Sequence, residues 1–183
     1  RLDRPVPRAS MLLRNAPVRP PFVFFDLETT GLSGGAGTYA FLVGFGWFDA
    51  DGAFVTRQYV VTSYEDERPV LEAAAADIAR AGVIVSFNGR SFDGPLLDTR
   101  YMFRRLAPAL DGVAHLDMLH HARRFWGDAS GASNCSLGAL ERRLAGVVRS
   151  GDVPGADAGV RDDPLVGGVD RAGKLVVCHA AGR

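Results

Sequence analysis

Apolar positions along this chain follow two periods. Short apolar, β-branched or aromatic runs at Val23 to Phe25, Thr38 to Phe48, Phe54 to Val61, Val83 to Phe87 and Val113 to Leu116 have the length and content of strands. Between them, Leu71, Ala74, Ala75 and Ile78, and then Leu96, Leu97, Tyr101, Met102 and Leu106, recur at helical spacing. Val23 to Phe25, ending at Asp26, reads as a strand buried on both faces. The next two runs are joined by Asp49-Ala50-Asp51-Gly52, and the Asp-Gly pair predicts a hairpin. Ser63 is placed to cap a helix whose first turn carries Glu65, Asp66 and Glu67, with Gly82 as a left-handed stop. A second helix spans about Pro95 to Leu106, broken by Pro108. Met118 to Trp126 and Ser136 to Leu144 are also helical, the latter with Leu137, Leu140 and Leu144 inward. The order is β-β-β-α-β-α-β-α. It predicts an α/β domain with a mixed five-stranded sheet, three antiparallel strands and then two parallel ones, with helices packed on it.

Outside this stretch the pattern fades. Residues 1–20 hold five arginines and four prolines, too many breakers for a core element, and read as a surface arm. The last aromatic residue is Trp126, so the chain beyond it lacks the side chains that bury most area. The folded domain is therefore expected over 21–155, with a poorly ordered or aberrant tail over 156–183.

Composition narrows the class. Lys plus Arg and Asp plus Glu both number 21, so no global field draws the chain to a polyanion, and any such partner is held locally. The longest nearly unbroken apolar stretch, Tyr39 to Phe48, is half of the ~20 residues a membrane helix requires. With no charged-then-apolar leader, the expectation is a soluble, cytoplasmic protein with no membrane partner. Cys135 and Cys178 form neither a disulfide framework nor a ligand pair.

The candidate chemistry lies at strand ends. Asp26 and Glu28 flank Leu27, and residues two apart on a strand project from one face. A divalent cation between two such carboxylates removes their repulsion, and hard oxygen donors favour Mg²⁺ or Mn²⁺ over zinc. Taken alone, the tripeptide is common and reads more readily as a turn cap beside a solvated glutamate. Thr29, Thr30 and Gly31 follow as a tight turn able to approach a phosphate. Asp93 lies just past the end of the parallel strand Val83 to Phe87, where ligands of such sheets bind. Asn88 and Asp93 also suit a turn and a helix cap.

Phe25 to Leu32, with the motif Asp26-Leu27-Glu28-Thr29-Thr30-Gly31, resembles the first motif of the DnaQ-like (DEDD) exonucleases of the ribonuclease H-like superfamily. Asn88 to Asp93 is similar to their second motif. Ser33 to Tyr39, the Phe-Leu-Val-Gly strand, His115-Leu116-Asp117-Met118-Leu119 and Arg123-Arg124-Phe125-Trp126 resemble the YprB-type branch more closely. The resemblance covers roughly Pro21 to Gly155 and implies a ribonuclease H-like fold. It also implies a two-metal 3′-to-5′ exonuclease acting on single-stranded DNA or RNA ends, with ions roughly 3.5 to 4 Å apart. By that resemblance Asp26, Glu28 and Asp93 are the catalytic carboxylates and metal ligands for two Mg²⁺ or Mn²⁺ ions. Thr29, Thr30, Gly31, Leu32, Asn88 and Phe92 face nucleic acid, and Asp117 supports from behind.

One element of that pattern is missing. The family's last acid, expected here as H-N-x-x-D, has no counterpart: His179 is followed by Ala180, Ala181, Gly182 and Arg183. From Ala156 to Arg183, 22 of 28 residues are Ala, Gly, Val, Asp or Arg, the output expected of GC-rich DNA read in a shifted frame. A frameshift or truncation after about Gly155 is the expectation, leaving an impaired nuclease. The alternative is a non-catalytic nucleic-acid-binding module. A ribonuclease H-like resolvase or transposase core fits the two motifs less well. Paired arginines at 104–105, 123–124 and 142–143 offer local phosphate contacts in either case.

Overall fold

A computed structural model describes residues 18–31, 37–127 and 135–148, together with the backbone of 176–181. Three antiparallel strands come first: β1 (Phe22–Thr29), β2 (Ala40–Phe48) and β3 (Phe54–Val60). Helix α1 (Glu67–Ile78) leads to β4 (Val83–Ser86), which lies parallel to β1. Helix α2 (Asp93–Phe103) leads to β5 (His115–Asp117), parallel to β4. Helix α3 (Met118–Trp126) follows directly, then α4 (Leu137–Leu140) and one π-helical turn, Glu141–Ala145. The five expected strands are thus present in their expected senses. A sixth, β6 (Val176–Ala181), pairs antiparallel with the edge strand β3, and the order is β5-β4-β1-β2-β3-β6. It lies in the segment read as a weakly anchored tail; the rest of 156–183 is outside the described residues.

The hairpin forms as its turn chemistry dictates. Asp49 Oδ1 accepts from the N–H groups of Asp51 and Ala53 at 3.0 and 2.9 Å, and Gly52 takes a φ of 80°.

The core explains both the matches and the corrections. Val23, Phe25 and Leu27 of β1, with Val43 and Phe45 of β2, pack under Val70, Leu71, Ala74 and Ile78 of α1 and Leu97 and Tyr101 of α2. Phe24 and Asp26 are exposed, so β1 is covered on one face along this stretch rather than on both. Its outer face carries an aromatic cluster instead, Phe24 meeting Phe54 and Phe48 edge-on at 5.7 and 6.5 Å. A second cluster joins Val83, Val85 and Leu116 to Val18, which is 0% exposed, so Val18 is a core residue although it falls in the stretch read as a surface arm; residues 1–17 lie outside the described residues.

Helix ends depart from expectation for local reasons. Ser63 does not cap α1. Its N–H and hydroxyl, with the hydroxyl of Thr62, donate to Asp66 Oδ2 in a turn that precedes the helix. Gly82 is not left-handed; a Cβ there would lie 2.0 Å from the carbonyl oxygen of Arg19, so close passage of the chain selects glycine. Helix α2 starts at Asp93 and stops at a Schellman turn: Leu106 N–H donates to Tyr101 O and Arg105 N–H to Met102 O, with Arg105 at φ 57°. Met102, assigned inward, is exposed, and so are Leu137 and Leu144 beside the buried Leu140.

Two buried charge clusters tie α1 to its neighbours, one to α2 and one to β3. Arg100, 2% exposed, donates from Nε and Nη2 to the two oxygens of Glu67 at 2.5 and 2.8 Å, and Arg104 joins the same carboxylate. Burial pushes the Glu67 carboxyl up, but the hydrogen bonds and charges of Arg100 and Arg104 outweigh it and leave it below its ordinary value. On the other end of α1, Asp77 accepts from Arg57 at 2.7 Å, from Tyr59 at 2.8 Å and from Arg80.

Candidate carboxylate site

The alternation of β1 decides where its acids go. Val23, Phe25 and Leu27 take the covered face, so Asp26 and Glu28 share the opposite one, Asp26 exposed and Glu28 half-buried. The β1–β2 register slips just beyond them, between Glu28 and Thr29. Such a bulge re-aims the residues that follow. The turn is then closed by Thr30 N–H donating to Tyr39 O at 3.1 Å, Tyr39 N–H donating to Thr30 Oγ1 at 3.3 Å and Thr29 Oγ1 donating to Gly31 O at 3.0 Å. Leu32 lies outside the described residues.

Asp93 reaches the site from β4. The loop from Ser86 to Asp93 turns through Asn88, at φ 68°, and is fastened by Gly94 N–H donating to Gly89 O at 2.7 Å. Gly89 has no room for a side chain: a Cβ would lie 2.7 Å from Ser86 Oγ and 3.0 Å from Asp93 Oδ2. Asp117, at the end of β5, holds the loop from behind. Its Oδ1 accepts from the N–H groups of Asn88 and Leu119 at 2.8 and 3.0 Å, and its Oδ2 from that of Arg90 at 3.1 Å. Three backbone bonds to one buried carboxylate make it a brace. Nothing in composition revealed this, although an acid ending a strand before a helix is the pattern of a cap. Beside it, Ser86 Oγ and His115 Nε2 are 2.8 Å apart, a pairing the sequence reading missed. Burial keeps the His115 imidazole below its ordinary value, partly offset by the Asp117 charge.

Electrostatics show which acids share a neighbourhood. Burial pushes the Asp93 carboxyl up to about 7, helped by the charges of Asp26, Asp117 and Glu28 in that order. Burial raises Glu28 too, with Asp26 adding to it. Such coupling falls off with distance, so β1, β4 and β5 bring these four acids to one sheet end. Hard oxygens whose proton affinity is raised by one another are the donors that Mg²⁺ or Mn²⁺ takes, and the donor chemistry fits such an ion. Among the described residues no three His, Cys, Asp or Glu side chains already form a ready cage. Ions entering here would draw repelling carboxylates together.

The remaining residues separate clearly. Phe92 is 59% exposed beside Asp93, and the backbone of Asn88 is fixed by Asp117. The strand bearing His179 is three places from β1, ~14 Å across the sheet. Of the paired arginines, Arg104 is spent on Glu67 and on the Tyr64 carbonyl. No helix among the described residues is long and apolar enough to cross a membrane.

Comparison with known proteins agrees with this architecture. A family profile of the RNase H superfamily matches residues 23–161. YprB of Bacillus subtilis (strain 168) is 35% identical over 133 residues, which are 72% of this chain and 31% of that protein. Among solved structures, product-bound exonuclease I superposes with a TM-score of 0.56 at 15% identity, over 71% of this chain and 39% of its own. Exonuclease I in complex with SSB-Ct gives 0.53 at 13% identity, over 66% and 35%. The structural likenesses carry the fold, and the matches span 31–39% of the length of these proteins. With the profile matched from β1 to beyond the π-helical turn, the chain belongs to the RNase H superfamily and carries a YprB-type RNase H-like domain.

Proposed function

We propose that this domain is a metal-dependent nuclease of the 3′-to-5′ exonuclease type, acting on the ends of single-stranded DNA or RNA. The observation that carries the reading is the gathering of Asp26, Glu28 and Asp93 at one sheet end, where burial first, and then the neighbouring carboxylates, raise the proton affinity of Asp93 and Glu28. Exonuclease I shares this fold, and its product-bound form belongs to the same reaction class.

In this reading Asp26, Glu28 and Asp93 hold Mg²⁺ or Mn²⁺. Bound divalent ions supply an acidified water and neutralise charge on the leaving oxygen. The chain's own residues do the rest. Thr29, Thr30 and Gly31 present a closed turn to the terminal phosphate, Phe92 offers an exposed ring for a base, and Asp117 keeps Asp93 in place through the backbone of its loop. The test is degradation of a 5′-labelled oligonucleotide with Mn²⁺ by the wild type and by Asp26→Ala. Loss of activity in the variant is expected; equal degradation by both would trace the activity to a contaminant.

A second reading has its own observation. No closed set of metal ligands stands ready among the described residues, which suits a module that binds nucleic acid without cutting it. Binding without hydrolysis in saturating Mn²⁺ would select it.

A further inference from the structure

The paired arginines beyond α2 do not behave alike. Arg104 is committed to a buried carboxylate, whereas Arg123, Arg124, Arg142 and Arg143 are all exposed. They come from two separate segments. Arg123 and Arg124 end α3, and Arg142 and Arg143 lie on the π-helical turn. The two are joined where Arg143 Nη2 donates to the Trp126 carbonyl at 3.1 Å.

Between the arginines stand two aromatic rings. Phe125 is 61% exposed and Trp126 38%, packed edge to face at 6.1 Å, with the Arg124 guanidinium 5.9 Å from the Phe125 ring. Arginines at a helix end stabilise its dipole and account for part of this arrangement. That role leaves the rings unexplained, since exposed aromatics gain nothing from water. Glu141 is half-buried and is the one carboxylate among the described residues of these two segments. The local balance is strongly positive in a chain whose net charge is zero.

We propose that the α3 end and the π-helical turn form a docking surface for single-stranded nucleic acid, Arg123, Arg124, Arg142 and Arg143 taking phosphates and Phe125 and Trp126 stacking bases. Cations interleaved with flat rings match a polymer that alternates phosphates and bases. One helix links the patch to the candidate site. Helix α3 starts at the residue after Asp117, whose carboxylate holds the Asp93 loop, and its nine residues span ~13 Å. A strand with its end at the carboxylates reaches the patch within about four nucleotides, near the lower limit of single-strand sites. This deepens the nuclease reading and rests on its choice of partner, though not on hydrolysis.

The test is fluorescence anisotropy of labelled oligothymidylates of about 4 and about 16 nucleotides, in EDTA so that neither metal nor cleavage takes part. The wild type is expected to bind the longer strand more tightly. In Arg123→Gln/Arg124→Gln the slope of log affinity against log salt falls by about 1.4, ~0.7 for each phosphate no longer neutralised. Phe125→Ala weakens binding of the longer strand about 5- to 160-fold, and weakens an abasic strand of equal length far less. Arg142→Lys/Arg143→Lys retains the salt slope, which guards against loss of the turn itself. Wild-type affinity and slope in both the Gln pair and Phe125→Ala would overturn the proposal. So would no binding by the wild type, or equal binding of polyglutamate, which marks a face for acidic protein. Hydrolysis measured separately on the wild type in Mn²⁺, with Asp26→Asn as its control, keeps the readings distinct, since patch-dependent binding without wild-type cleavage retains this surface while refuting the nuclease.

Discussion

Helix α2 carries two groups of ionised side chains that differ in sign balance. At its first residue, Asp93 faces only like charges from Asp26, Glu28 and Asp117 among the groups that move its titration, and its carboxyl rises to about 7. Seven residues on, ~10 Å away along the axis, Arg100 is more deeply buried than the half-buried Asp93 but meets Glu67, whose carboxyl is held below its ordinary value. Burial penalises both. The opposite charge repays it at one place, and at the other every described charge that moves the titration of Asp93 is of like sign. A balanced buried cluster is a device of stability, whereas an unbalanced one is suited to a ligand of opposite charge.

That contrast can be broken most severely at the balanced end. Glu67→Gln leaves Arg100 and Arg104 without their anion, and urea unfolding is expected to show a loss of ~3–5 kcal/mol. Unchanged stability would mean that water, not Glu67, satisfies Arg100. Asp117→Asn comes next. It sets an amide donor against backbone donors, at a cost of about 1–3 kcal/mol, with faster hydrogen exchange at Asn88, Arg90 and Leu119 as the local signature.

At the unbalanced end the sign reverses. The Asp93 carboxyl titrates near 7 in the fold against 3.8 for an ordinary aspartate, so the stability it contributes is complete below about pH 4 and is lost as the pH rises toward 7. Asp93→Asn is therefore expected to melt above the wild type at about pH 8 in chelator, by ~2–4 °C for each kcal/mol regained, and to match it at about pH 4. Added Mn²⁺ raises the wild-type melting temperature and leaves that of the variant nearly unmoved. A variant that melts lower at both pH values contradicts the charge argument. The smallest effect belongs to the surface pair Arg68–Glu72, 3.0 Å apart and four residues apart on α1. Arg68→Gln is expected to cost ~0.3–0.5 kcal/mol, lost within error at high salt.

Much of this frame was legible beforehand because it is local. The Asp-Gly turn, the helical run Met118–Trp126 and the shared face of Asp26 and Glu28 depend on residues a few positions apart. Other features rest on approaches between distant segments. Gly82 read as a helix stop because its true neighbour, the Arg19 carbonyl, is 63 residues away. Glu67 and Arg100 occupy the inward stripes of α1 and α2, where two opposite charges on facing helices are a signal that single-helix periodicity discards.

Backbone preference and the apolar periods by themselves determined the element order, the antiparallel-then-parallel sheet and the face on which the first two acids stand, since these follow from short-range sterics and alternation. Only the packed chain decided that Asp93 feels three other carboxylates, that Asp117 braces its loop, that Arg100 is buried, and that one face of β1 stays open at Phe24. Those outcomes depend on which surfaces meet and how much water they exclude, and both burial and electrostatic coupling are set by distances in space rather than along the sequence.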